Sequence, residues 1–281
     1  MIISVASGKG GTGKTTVATN LALSLSHVTL LDCDVEEPDT HIFIKPTIID
    51  QEKVYIPVPE IDTSRCTYCG KCREVCAYHA IAIIAQQVLV FNELCHGCGA
   101  CSYFCPTNAI TEVKKEIGVI ERGKKNTLTF VHGRLNIGEP MAPPLIRAVK
   151  QRCDAKELVI IDAPPGTSCP AITAVKDSDF CILVTEPTPF GLHDLTLAVE
   201  VVRKLAIPCG IVINRYGLGN DEVEHYCIKE NIPILMTIPF QKDIAIAYSN
   251  GESIIDVLPE YEERFITLYE KCKQLIKSKV E

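Results

Sequence analysis

The chain has 281 residues, of which 47% are hydrophobic and 22% are charged, and its formal net charge is −7. This length suggests about two domains, or one large domain with an insertion, and the composition is that of a globular protein able to bury its own core. The composition excludes collagenous, disordered and coiled-coil chains. The acidic balance argues against a general nucleic-acid binder, whose phosphate contacts need a basic surface.

The beginning of the chain and its cysteines indicate a cellular compartment. Residues 1–6 contain no basic region and run directly into a glycine-rich loop, so no signal peptide is expected. No apolar run approaches the ~20 residues that span a bilayer. We therefore expect a cytoplasmic protein without a membrane partner, in which the 15 cysteines are metal ligands or free thiols rather than disulfides.

Short apolar runs alternate with helix-length amphipathic segments along most of the chain. The predicted strands cover residues 2–6, 28–31, 158–161, 180–184, 210–213 and 234–236. The predicted helices cover residues 14–26, 192–205 and 222–230. Continuous apolar strands separated by helices predict an α/β fold, with a parallel sheet covered on both faces.

A glycine-rich segment lies between the first predicted strand and the first predicted helix. It fits the pattern G-x-x-x-x-G-K-[ST] in the context of a P-loop, whose backbone N–H groups cradle phosphate oxygens. Lys14 would neutralise phosphate charge, and the Thr15 hydroxyl would ligate Mg²⁺. The predicted phosphate-binding residues are Gly8, Lys9, Gly10, Gly11, Thr12, Gly13, Lys14, Thr15 and Thr16.

The second lysine of this segment, Lys9 beside Gly8, resembles the deviant Walker motif of the MinD/ParA/nitrogenase-iron-protein class of P-loop ATPases. The resemblance implies a homodimer that encloses two ATP molecules, with Lys9 reaching the nucleotide of the facing subunit. Residues 30–34 resemble the first switch of this class. By that resemblance Asp34 positions the attacking water, and Asp39 makes a water-mediated contact with Mg²⁺.

Residues 159–166 look like a Walker B strand followed by the second switch. There the resemblance assigns the Mg²⁺ shell to Asp162 and a γ-phosphate contact to the Gly166 N–H. Contacts with the adenine base fall by the same resemblance on Asn214, Arg215 and Pro239. An ordinary strand-end cap is the alternative role of Asn214.

Eight of the cysteines lie in a duplicated segment. The spacing C-x2-C-x2-C-x3-C occurs twice with an offset of 29 residues, and this is the bacterial ferredoxin pattern for two [4Fe–4S] clusters. In that pattern the fourth cysteine of each run reaches the other cluster, whereas zinc prefers two separated C-x2-C pairs. One cluster is assigned to Cys66, Cys69, Cys72 and Cys105, and the other to Cys95, Cys98, Cys101 and Cys76.

A further cysteine, Cys169, follows Asp162 by seven residues, which is the spacing of a cluster ligand in the nitrogenase iron protein. That protein has a second cysteine upstream, and none lies at the matching residues 132–133 here. We therefore expect a plain buried thiol at Cys169.

Together these motifs identify the chain as similar to MinD/Mrp-like P-loop ATPases of the CobQ/CobB/MinD/ParA superfamily, with an inserted dicluster ferredoxin domain. The expected division is an ATPase domain of residues 1–58 and 118–281 and an inserted domain of residues 59–117. The expected cofactors are ATP, Mg²⁺ and two [4Fe–4S] clusters. The expected partners are a second copy of the chain and an unidentified redox or cluster-acceptor protein.

The motifs are compatible with three different functions. We expect first an ATPase whose nucleotide state gates electron transfer by the two clusters. The first alternative is an iron–sulfur cluster carrier of the Mrp type, although the C-terminal C-x-x-C of that type is absent here. The second alternative is a MinD/ParA-like spatial regulator, which would associate with membranes or polymers in an ATP-dependent way.

Overall fold

The computed structural model of the protein describes residues 1–153 and 157–278. The strands, in chain order, are β1 (Ile2–Ala6), β2 (Val28–Asp32), β3 (Thr47–Ile61), β4 (Ile81–Ile84), β5 (Gln87–Val90), β6 (Ile110–Lys125), β7 (Leu128–Leu135), β8 (Leu158–Asp162), β9 (Phe180–Thr185), β10 (Cys209–Tyr216) and β11 (Ile234–Pro239). The helices are α1 (Lys14–Leu23), α2 (Thr40–Ile44), α3 (Lys71–Glu74), α4 (Ala100–Tyr103), α5 (Pro143–Lys150), α6 (Cys169–Val175), α7 (Pro189–Lys204), α8 (Glu222–Lys229), α9 (Lys242–Ser249), α10 (Ile254–Val257) and α11 (Glu260–Lys277).

Nine strands form one large sheet in the order β11-β10-β9-β1-β8-β2-β7-β6-β3. The seven strands from β11 to β7 are parallel, and β6 and β3 extend that edge as antiparallel neighbours. The parallel sheet expected from the apolar runs is confirmed. The antiparallel edge is an addition to it, because β3 and β6 connect through residues 62–109 as a long hairpin.

Helices cover both faces of the sheet, as the continuous apolar strands predict. One core joins α1, α10 and α11 to the sheet, and the other joins α5, α6, α7 and α8 to the opposite face. Helix α1 ends at Leu23 rather than at residue 26. The Ser24 hydroxyl donates to the Asn20 carbonyl (2.8 Å), and His27 takes a left-handed φ of 54°, so the chain leaves the helix there.

A two-stranded arm connects the large sheet to the cysteine module. Strand β6 pairs with β7 only from Gly118 onwards, and residues 110–116 pair with β3 alone. Pro57 and Pro59 are accommodated in β3 because it is the edge strand, where a missing N–H costs no central ladder bond. The proline-rich segment of residues 55–59 is thus part of a paired strand. The expected domain boundary at residue 118 falls at the base of this arm, and the expected boundary at residue 58 falls inside it. The division into domains stays a prediction.

The cysteine module folds as two matching halves. Helices α3 and α4 are offset by the same 29 residues as the cysteines, and each follows a glycine with positive φ, Gly70 (82°) and Gly99 (73°). Because a left-handed φ favours glycine, both helices begin at the same place in their repeats. The hairpin of β4 and β5 completes the module. None of the helices within the described ranges is both long and apolar enough to cross a membrane.

Candidate functional site

The phosphate loop leaves β1 at the carboxyl edge of the parallel strands and ends at the first turn of α1. Gly11 and Gly13, just before α1, have left-handed φ of 77° and 94°, a conformation that favours glycine. A Cβ at Gly13 would collide with Asn214 Nδ2. Backbone conformation therefore favours glycine at both positions, and close approach adds a second reason at Gly13.

The magnesium side of the site is built by α1 and β8. The Thr15 hydroxyl donates to Asp162 Oδ2 at 2.6 Å, and both residues are buried. Asp162 Oδ1 is buried without a hydrogen-bond partner among the described residues. A hydroxyl and a carboxylate are the ligand types that hold Mg²⁺ in P-loop proteins, so these two side chains fit that ion.

The loop predicted to form the first switch is held in place by hydrogen bonds to Asp32, which lies at the end of β2. Its buried carboxylate accepts hydrogen bonds from the Thr40 hydroxyl (2.6 Å) and N–H (3.2 Å) and from the Asp34 N–H (3.0 Å). These bonds bring the loop that carries Asp34 and Asp39 back toward the phosphate loop, where both residues line the same cavity as Lys14.

Burial shapes the charges of this loop. It raises the pKa of Asp34 to about 6 and also raises the pKa of Asp39 and Asp162, while the positive charge of the buried Lys14 opposes all three shifts. The site thus gathers three carboxylates around one ammonium, an arrangement that a bound Mg²⁺ would stabilise.

A cavity of about 540 Å³ extends from the phosphate loop to α9. The predicted site residues that line it are Gly10, Gly11, Gly13, Lys14, Thr15, Thr16, Asp34, Asp39, Asn214, Arg215 and Pro239. Gly8, Lys9, Thr12, Asp162 and Gly166 lie outside its lining. The Gly166 N–H, expected to contact the γ-phosphate, donates to the Ser7 carbonyl at 2.9 Å in this structure. Gly8 packs closely against the Asp194 backbone, and the Ser7 hydroxyl donates to the Lys9 carbonyl (2.6 Å), which fixes the loop around Lys9.

Asn214 holds the phosphate loop in this structure. Its side-chain amide donates to the Thr12 carbonyl (2.8 Å), and its side-chain oxygen accepts from the Arg215 N–H (2.9 Å). The Arg215 guanidinium pairs with Glu186 at 3.2 Å. Asn214 thus links β10 to the phosphate loop, and both the strand-end cap and the contact with the base stay predictions.

The far end of the cavity contains residues that sequence reasoning missed. Phe43 of α2 and Tyr248 of α9 contact each other with ring centroids 5.1 Å apart, and Ile244 and Glu252 line the same region. Aromatic faces suit a planar base. No local motif marks these residues, because they come from two short helices that are about 200 residues apart in sequence.

The cysteines of the module lie in two groups. Site A is the group Cys66, Cys69, Cys72 and Cys105, which lines one cavity. Site B is the group Cys76, Cys95, Cys98 and Cys101, which lines another. These are the two ligand sets predicted from the spacing, including the crossing of each fourth cysteine into the other repeat.

Backbone N–H groups point at sulfur atoms in both sites. Ala80 donates to Cys76 Sγ and Ala109 donates to Cys105 Sγ, each at 3.3 Å. Hydrogen bonds to the sulfurs tune the potential of an iron–sulfur cluster, and each cavity is lined by four cysteines, so both sites fit a [4Fe–4S] group. Within the described ranges no three His, Cys, Asp or Glu side chains converge as ligands of a single metal ion. The expected burial of Cys169 is wrong, because its side chain is exposed at the first residue of α6.

Comparisons with known proteins place this site in a family. The profile of the CobQ/CobB/MinD/ParA nucleotide binding domain matches residues 3–254. An uncharacterized protein of Methanocaldococcus jannaschii is 35% identical, with 98% of each chain covered. The iron-sulfur cluster carrier protein of Aquifex aeolicus is 24% identical over 99% of this chain and 69% of its own.

The fold also has solved counterparts. The septum site-determining protein MinD of Pyrococcus horikoshii, solved with Mg-ADP, has a TM-score of 0.60 at 21% identity and covers 96% of this chain and 94% of its own. A P-loop at the carboxyl edge of a largely parallel sheet, together with a family profile that spans most of the chain, leads to one conclusion. The protein belongs to the CobQ/CobB/MinD/ParA family of nucleotide-binding proteins.

Proposed function

We propose that the protein is an ATPase that holds two [4Fe–4S] clusters and delivers iron–sulfur clusters under the control of its nucleotide. One observation carries this proposal. The chain passes from the first switch through the five-residue helix α2 directly into β3, which runs from the sheet into the cysteine module. A change in the first switch on nucleotide binding therefore has a short covalent route to the module.

The nucleotide half of the proposal assigns each residue a task. The N–H groups of the phosphate loop and Lys14 bind the phosphates, and Thr15 and Asp162 hold Mg²⁺. Asp34 orients the attacking water, for which its place beside Lys14 in the cavity is suited. Lys9 completes the site of a second copy of the chain, so hydrolysis requires an ATP-dependent homodimer.

The cysteine half assigns one cluster to each site. Four thiolates of site A and four of site B would hold the clusters, which supply iron–sulfur cargo or electrons when bound. The names of curated relatives, such as the Aquifex aeolicus carrier protein, favour delivery over the gated electron transfer that the sequence placed first. Delivery is accordingly our main proposal.

Gated electron transfer remains a second candidate because of a specific observation. Each cysteine site is complete within the chain, since all four predicted ligands line its cavity. A complete set of four thiolates favours retention of a cluster, as in an electron carrier, over its release. The two candidates therefore differ in whether a cluster leaves the protein.

A transfer experiment distinguishes them. Anaerobically reconstituted protein is mixed with a small apo-ferredoxin, and cluster formation on the acceptor is followed by circular dichroism with and without ATP–Mg²⁺. Delivery predicts transfer that depends on nucleotide and is lost in Lys14→Ala. Transfer at the rate of free iron and sulfide, or at one rate with and without nucleotide, contradicts delivery. Retained clusters that reduce a redox acceptor faster with ATP would establish the second candidate instead.

A further inference from the structure

The two cysteine sites differ in what they pack against. Cys76 and Cys95 of site B join the core beneath the large sheet. Of site A, Cys72 and Cys105 pack in a separate small core within the module, which Cys101 of site B also contacts. Site B therefore lies between the two cores, and no site A cysteine joins the sheet's core among the described residues.

The first switch contacts the arm through the end of β7. Val35, the residue after Asp34, packs against Gly133, where an added Cβ would lie 2.7 Å from Val35 Cγ1. The Leu135 N–H donates to the Val35 carbonyl at 2.8 Å. The next residue along, Asn136, donates its N–H to the Ile117 carbonyl of β6 at 2.9 Å. A shift of the first switch would therefore move the strand that enters the module.

Lys115 extends this route to site B. Its ammonium pairs with Glu139 at 2.8 Å, and the Glu139 side chain is only 5% exposed. The same ammonium donates to the Asn92 carbonyl at 3.4 Å, and that carbonyl also accepts the Cys95 N–H at 3.3 Å. Lys115 thus joins the loop after β7 to the turn that presents a predicted cluster ligand.

Among the residues that the structure describes, the first repeat has no equivalent of this link. The position 29 residues before Lys115 is Gln86, in the turn between β4 and β5. The turn that presents Cys66 is held by the Asp62 carbonyl, and Arg65 donates to the Thr107 carbonyl at 3.2 Å. These contacts stay within the module. Loop 63–69 of the first repeat therefore serves as an internal control for loop 92–98, the equivalent loop of the second repeat.

We infer that the two clusters have different tasks: site B responds to the nucleotide, with Lys115 as its positioning residue, and site A does not. The inference rests on the proposed function, because it concerns the sites that the clusters would occupy. It extends that function by stating which cluster responds to the nucleotide and which does not.

Hydrogen exchange of the anaerobic holoprotein tests this inference. A non-hydrolysable ATP analogue with Mg²⁺ should change exchange in loop 92–98 and leave loop 63–69 unchanged. Because Lys115→Met alone would leave a buried carboxylate unpaired, the variant used is Lys115→Met combined with Glu139→Gln. This variant should keep its iron and its ATP hydrolysis and lose the exchange change in loop 92–98.

A second readout concerns the clusters themselves. The electron paramagnetic resonance signals of the two reduced clusters should respond unequally to nucleotide, and the double variant should abolish the response. Equal changes in both loops, no change in either, or a full response in the double variant would overturn the inference. Failure of the proposed function is distinct from these outcomes, since it appears as missing iron or as transfer that ignores nucleotide.

Discussion

Asp34 has a predicted catalytic role, and its partly buried position is unfavourable for a charged carboxylate. Burial raises its pKa to about 6, Asp39, Glu37 and Glu36 add to the rise, and Lys14 opposes it. Replacing Asp34 with Asn keeps the shape of the side chain and removes its charge. We expect the variant to be more stable than the wild type without nucleotide, and to lose ATP hydrolysis by about 100-fold or more.

The size of the stability gain follows from the pKa. A rise from 3.8 to about 6, at about 1.4 kcal/mol per pH unit, corresponds to about 3 kcal/mol as an upper limit. Partial exposure of Asp34 to solvent reduces this to about 1–2 kcal/mol. Since the folded-state pKa is the higher one, the wild type loses this stability as pH rises from about 4 through about 6. The Asp34→Asn variant has no ionisable group at this position and therefore does not lose stability in this way.

Urea unfolding followed by circular dichroism measures the difference. Without nucleotide, the unfolding free energy of Asp34→Asn should exceed that of the wild type at pH 7.5, and the gap should fall by about half at pH 5. Steady-state hydrolysis on the same preparations supplies the activity. A variant that is less stable than the wild type at pH 7.5, or a stability difference that does not change with pH, would contradict the burial of a charged carboxylate at Asp34.

Three further changes test other parts of the site. Gly13→Ala should abolish binding of a fluorescent ATP analogue because the new Cβ meets Asn214, whereas Gly217→Ala, with the same φ of 94° but open space, should retain binding. Equal losses of nucleotide binding in the two variants would contradict this prediction. Lys9→Ala should abolish ATP-dependent dimerisation in light scattering and keep the iron content; a dimer that still forms would exclude the role in a facing subunit. Anaerobic protein should contain about eight irons, and Cys98→Ser about four; a preparation with zinc alone would rule out the clusters.

The parts of the molecule that are encoded by short contiguous patterns could be predicted from the sequence. The strand β1, the P-loop and the start of α1 follow from one apolar run and one glycine motif, and the structure has them at the predicted residues. Local sequence determines these features because each depends on neighbours within a few residues. The grouping of Cys105 with the first cysteine run spans a longer stretch of chain and followed from the ferredoxin spacing, and these cysteines line one cavity.

Features that depend on distant partners could not be predicted in the same way. Strand β7 was missed because its polar residues, such as His132 and Arg134, interrupt the apolar pattern, although it pairs with β2 beside the first switch. The role of Asn214 as a brace for the phosphate loop depends on Thr12, about 200 residues away in sequence. The pairing of Lys115 with Glu139 likewise requires the hairpin of β6 and β7 to form first.

A redox titration of the holoprotein with and without ATP–Mg²⁺, followed by absorbance and electron paramagnetic resonance, tests most directly whether the nucleotide site and the clusters communicate. We predict that nucleotide shifts the potential or the signal of the site B cluster, and that Lys14→Ala abolishes the shift. Superimposable curves from protein that binds ATP and contains both clusters would contradict it.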